Sequence, residues 1–114
     1  MTISSEQDQI VKHPEVTQLV DLLQYQDKSI VSRVLLRNNG GTVTLFAFDE
    51  GEGLSEHTAP FDALVVVTDG QATIEIAGES FTLKKGDSII LPASRPHAVK
   101  ATIRFKMLLI MIRA

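Results

Sequence analysis

From Lys28 onward the chain is a succession of short apolar runs, each cut off by glycine or charged turn residues, and this punctuation leaves little choice of fold. Residues 29–37 are rich in β-branched side chains and end at Asn38-Asn39-Gly40-Gly41. Residues 42–48 alternate and stop at Asp49-Glu50-Gly51-Glu52-Gly53. Residues 61–68 form a nearly continuous apolar run, the pattern of a strand buried on both faces. Asp69-Gly70 reads as a tight hairpin turn, and Ala77-Gly78-Glu79 as a second. A turn at 84–87, a strand at 88–91, a rigid loop at 92–96 and closing strands at 97–101 and 103–111 complete the pattern. Eight or so short strands in this order predict an all-β barrel or sandwich.

The first quarter of the chain reads differently. Residues 1–14 lack a clear period and are assigned as an N-terminal arm; residues 15–114 form a single domain, the only one a chain of 114 residues accommodates here. In residues 16–25, Val16, Leu19, Val20, Leu22 and Leu23 fall close to helical spacing behind Pro14-Glu15, which predicts one short N-terminal helix covering a sheet face. His13, alone beside Pro14, reads as a solvated turn residue.

Charge and composition exclude several function classes. Eleven Lys and Arg against fourteen Asp and Glu, with no basic run, argue against nucleic acid or an anionic membrane as partner. The absence of cysteine rules out disulfides, thiolate metal sites and cysteine nucleophiles. The polar start lacks the features of a signal peptide, and the apolar stretch at 107–112 is too short to span a bilayer, so a cytoplasmic protein is expected. The apolar strands at 29–36 and 105–112 need covering, and a homodimer is the expected solution.

His57 and His97 lie 40 positions apart at the two ends of the glycine-punctuated stretch 51–97. If the intervening strands form a closed or double sheet, the two imidazoles meet on one inner wall, a natural metal or acid/base site. The spacing around them carries a family resemblance. Gly51 is followed after five residues by His57, and Gly70 closes this first motif; Gly86, Pro92 and His97, the last preceded by Pro96, form a second. In these positions the chain resembles a small single-domain cupin of the type-2 kind, with core motifs at 51–70 and 86–101. The resemblance implies a jelly-roll β-barrel whose mouth holds the site.

It also implies a ligand set, from which this chain departs. Metal-binding cupins use two histidines and a glutamate of the first motif and the histidine of the second. Here Ala59 stands at the second histidine position and Ala63 at the glutamate position, while Ser94 and Ala101 replace the usual glycine and asparagine. Two imidazoles fall short of the three protein ligands that catalytic sites normally keep. Asp62 is the candidate third ligand. Strict alternation puts it outside the barrel, whereas a bulge at Pro60 would turn it inward and complete a two-histidine, one-carboxylate set for Fe, Mn, Ni or Zn. The plain alternative is that the histidines are hydrogen-bonded barrel residues and Asp62 a solvated rim residue.

The two alanines enlarge the barrel and make its wall apolar, with Phe46, Phe48, Val65, Val67, Phe105 and Met107 as candidate lining. Such a cavity suits a small, mostly hydrophobic molecule held by a few polar groups: His57, His97 and, at the mouth, Arg95, which pairs well with a carboxylate. One protonated imidazole would bind an anion, and the pair would also serve as general acid and base. Two functions are therefore expected from the residues: binding of a small molecule, or a metal-dependent enzyme of the dioxygenase or isomerase kind. The glycines around Glu50 and Glu52 do not make a phosphate loop, for they lack its lysine and helix.

Overall fold

One strand belongs to both layers of this fold. The computed structural model describes residues 3–7 and 14–113, which leaves His13 outside the described residues. Nine strands are described: β1 (Ile3–Gln7), β2 (Ile30–Asn38), β3 (Gly41–Phe48), β4 (Gly53–His57), β5 (Asp62–Ile76), β6 (Glu79–Lys84), β7 (Ser88–Leu91), β8 (His97–Lys100) and β9 (Phe105–Ile112). The first half of β5 pairs with β9 on one edge and β7 on the other. Its second half pairs with β8 and β6. The first layer thus runs β1-β2-β3-β9-β5-β7 and the second β4-β8-β5-β6, and β5 folds one over the other.

The fold in β5 falls at Asp69-Gly70, where the sequence signals a hairpin. A two-residue hairpin of type I′ needs positive φ at both central residues, and of these two only Gly70 has it (φ 70°). The chain instead shifts register between Val67 and Asp69, a β-bulge, and continues as the same 15-residue strand. Glycine is required there: a Cβ on Gly70 would lie 2.1 Å from the carbonyl oxygen of Arg104. The expected second hairpin does form, with Ala77 (φ 49°) and Gly78 (φ 85°) as its two central residues and Ile76 paired with Glu79.

Alternation along the strands fills the space between the layers. Phe48, Val65, Val67, Phe105 and Met107 join Ile30, Ile74, Ile76, Leu83, Leu91 and Val99 in one buried cluster, with Phe46 packed against it. All six candidate lining residues therefore face inward, but Phe48, Val65, Val67, Phe105 and Met107 are closed into a packed core and do not line the open cavity expected from the alanines. Phe48 and Phe105 stack with centroids 4.5 Å apart and planes 8° from parallel.

The outer face of the first layer is covered by the segment before β2, but not as the expected helix. Among the described residues that segment has a single 3-10 turn, Leu19–Asp21. Side chains from the sheet take the carbonyls a helix would use: Lys106 Nζ donates to Val20 O at 2.6 Å and Arg33 Nη1 to Leu22 O at 3.0 Å. The extended strap buries Leu23 against Val31, Leu45 and Ala47, worth roughly 1.5–3 kcal/mol for that side chain. Tyr25 ties it to the bend in β5 by donating its hydroxyl to Asp69 Oδ2 at 2.6 Å. Burial, and next that hydrogen bond, push the Tyr25 phenol far above its ordinary range, so the latch stays protonated. Within the N-terminal arm, β1 adds to the sheet edge parallel to β2. No helix among the described residues is long and apolar enough to cross a membrane.

Replacement of Gly70 by alanine is expected to lower stability by about 2 kcal/mol or more, because the β-carbon meets main chain that has no free rotation to escape it. Urea denaturation of Gly70→Ala against the parent checks this; an unchanged midpoint would mean the bend does not depend on glycine.

Candidate functional site

The two histidines meet because β4 carries a bulge. Leu54 pairs with Val99 and His57 with His97, so Ser55 and Glu56 together oppose Ala98 alone. Plain alternation from Leu54 would have sent His57 to the opposite face. Val99 is a core residue, so its row neighbour two positions back, His97, faces inward, and the bulge brings His57 to the same side. His97 also pairs with Ile76, and Ile76 with Glu79. Glu79, Ile76, His97 and His57 thus form one row across β6, β5, β8 and β4 on the inner face of the second layer.

The imidazoles pack edge to face, with centroids 4.3 Å apart and planes at 68°. Each ring is held by the main chain two residues before it: His57 Nδ1 lies 2.8 Å from Ser55 O, and His97 Nδ1 3.3 Å from Arg95 O. A carbonyl only accepts, so in the neutral form of either ring Nδ1 carries the hydrogen and Nε2 keeps its lone pair. His97 is half-buried and His57 exposed. Burial, and to a lesser extent the neighbouring His57, hold the His97 pKa below its ordinary value, against the opposing pull of the Arg95 carbonyl. At neutral pH, His97 therefore presents an uncharged acceptor.

Loops 58–61 and 92–96 close the rim beside this pair. Ser94 N–H donates to Ala59 O at 2.7 Å, and Ala93 N–H to Asp62 Oδ1 at 2.8 Å. Ser94 takes a positive φ of 64°, the conformation for which glycine is usual. Asp62 is exposed and opposite Ile112, while Ala63 next to it packs on the core. The inward turn at Pro60 is not formed, and the carboxylate serves the 92–96 loop. Phe46 sits on the inner wall, its ring 6.0 Å from that of Phe48; Arg95 is exposed on the rim.

These positions bear on whether a metal fits. Two Nε2 atoms with fixed Nδ1–H bonds have the orientation that metal-ligating imidazoles adopt. Yet among the described residues no three His, Asp or Glu side chains come together, and Ala59 and Ala63 contribute no donor. The donor set falls one ligand short of a three-ligand centre. Glu79 stands two strands from His97, roughly 10 Å at the usual strand spacing, with Ile76 between. Sequence reading missed Glu79 by placing it in a turn; the signal lay in the hairpin length, since a two-residue loop puts Glu79 opposite Ile76.

The family model described as Cupin domain matches residues 44–112, and the chain belongs to the cupin family. Among solved structures it is similar to a conserved protein of unknown function from Streptococcus pyogenes, with 30% identity, a TM-score of 0.87 and 94% of each chain covered. It is also similar to a cupin superfamily protein from Desulfitobacterium hafniense, with 26% identity, a TM-score of 0.86 and coverage of 95% of this chain and 99% of that one. A Cupin 2 conserved barrel domain protein from Leptotrichia buccalis is 44% identical, with a TM-score of 0.80, over 82% of this chain and 46% of that one. No curated protein matches.

The lowered His97 pKa makes a prediction about acid. Because the unfolded chain protonates this ring at the ordinary value near 6.5 and the folded chain only at lower pH, unfolding gains protons as the solution is acidified. The His97 contribution to stability is thus fully present above about pH 6.5 and declines as pH falls towards the folded-state pKa. Urea midpoints from pH 8 to 5, compared with those of His97→Gln, test it. The variant is expected to lose part of the acid slope, and identical slopes would contradict the assignment.

Proposed function

We propose that the protein binds a small, mostly apolar molecule at the barrel mouth, anchored by a hydroxyl or similar donor on the Nε2 atoms of His57 and His97. The observation that carries this reading is the hydrogen-bond geometry: Nδ1 of each ring lies on a main-chain carbonyl, Ser55 O and Arg95 O, which leaves the two Nε2 atoms for a ligand, in a row that continues onto the apolar Ile76. Convergent polar atoms beside an apolar surface are the usual means by which a small molecule is held. Arg95, exposed on the rim, would contact a part of the ligand left outside.

One feature favours the second reading, a metal-dependent enzyme of the dioxygenase or isomerase kind: both Nε2 lone pairs are free to coordinate. That reading needs a third donor, and Asp62 would have to leave Ala93 to supply it. The binding role requires no such rearrangement and is preferred here.

Thermal-shift screening of phenols, catechols and cyclic diols, each with and without EDTA, separates the two. Binding is expected for hydroxylated ligands with an apolar body, independent of EDTA. It should weaken about three- to tenfold in His57→Ala or His97→Ala, the value of one neutral hydrogen bond each. It should also weaken as acid protonates His97. Ligand shifts abolished by EDTA would support the metal-dependent reading, and shifts indifferent to both substitutions would remove the imidazoles from the site.

A further inference from the structure

The edges of β6 and β7 do not pair with each other, and between them lies a groove of about 230 Å³. Its apolar part is made by Ile76, Phe81, Ile89, Ile90 and Pro92, and its lining carries two charged side chains of opposite sign, Glu79 and Arg95. The hairpin at Ala77-Gly78 places Glu79 in register with Ile76 and therefore on the groove side of β6. Arg95 arrives from the loop that Pro96 O, accepting from Ala77 N–H at 2.8 Å, pins to the same hairpin. The two charges thus share one rim, yet no side-chain hydrogen bond or ion pair joins either of them to another described residue.

We propose that this groove is a binding site for a free α-amino acid with a branched or aromatic side chain, its carboxylate on Arg95, its ammonium on Glu79 and its side chain against Ile76, Phe81 and Ile89. The charges select a zwitterion. A simple carboxylic acid would satisfy Arg95 but bring no cation to Glu79, and a simple amine would leave Arg95 facing the apolar body. Guanidinium-to-carboxylate and carboxylate-to-ammonium contacts are charge-assisted and about twice as strong as neutral hydrogen bonds. The volume lies below the roughly 300 Å³ at which drug-sized pockets begin, which limits the occupant to a compact molecule. The site shares Ile76 and Arg95 with the binding mode proposed above but not its imidazole anchors, so the response to imidazole substitution tells the two readings apart.

Calorimetric titration of the full chain with L-leucine and with L-phenylalanine tests the assignment, with 4-methylpentanoate and 3-methylbutylamine as the leucine analogues lacking one charge each. Saturable one-to-one binding is expected for at least one amino acid, with both analogues weaker by about tenfold or more, the worth of one charge-assisted contact. Arg95→Gln and Glu79→Gln, both exposed positions whose melting temperatures verify folding, should each weaken binding by a similar factor, while His57→Ala leaves it within about twofold. Absence of saturable heat up to about 10 mM of either amino acid, an analogue binding as well as leucine, or loss of binding in His57→Ala would overturn the proposal.

Discussion

The structure depends on the bend in β5. A strand of 15 residues that pairs on both edges in both of its halves leaves every other element defined by where along it they dock. The bend is possible only because Gly70 accepts a positive φ and offers no side chain to Arg104 O. Around it the latches converge. Tyr25 bonds Asp69 from the strap, Arg104 lies over the Tyr25 ring at 4.3 Å, and Lys106 reaches from β9 to the strap carbonyl. The core cluster sits within the angle, so the same geometry that holds the layers together leaves their far ends apart, where the histidine row and the charged groove are found.

At that open end the site is set by main-chain geometry more than by the identity of its polar residues. One bulged residue in β4 decides that His57 and His97 share a face, and two carbonyls decide which nitrogen of each ring is free. Desolvation then keeps His97 uncharged near neutrality. Acceptors fixed in this way suit hydrogen-bond donors on an apolar ligand, while the missing third donor weakens the case for an ion. The alanines at 59 and 63 act in the same direction on both counts.

Much of the architecture was legible in the sequence. Alternation and turn chemistry marked the strands, because these signals arise from local geometry and burial; the apolar run at 61–68 marked the central strand but overstated its burial, since Val65 and Val67 are buried while Leu64 and Val66 on the other face are half-buried. The failures share a cause. The helix expected over 16–25 is absent because Lys106 and Arg33, distant in sequence, bond to the strap carbonyls at Val20 and Leu22. Asp69-Gly70 carries a hairpin signal without making a hairpin, because a dipeptide reports only that positive φ is available, not whether the chain reverses. The meeting of His57 and His97 could be expected from spacing, but the bulge that produces it leaves no composition signal at Ser55-Glu56. Glu79 stayed hidden until the Ala77-Gly78 loop length fixed its register.

The central claim is that His57 and His97 form an edge-to-face pair with each Nδ1 held by a main-chain carbonyl and each Nε2 left to a ligand. Long-range proton–nitrogen correlation NMR at pH 7.5 on protein labelled with nitrogen-15 reads the tautomer of each ring directly, and ring-to-ring nuclear Overhauser effects read their contact. The account predicts Nδ1–H tautomers for both rings, with Overhauser contacts between them. An Nε2–H tautomer in either ring, or rings without mutual contact, would contradict it.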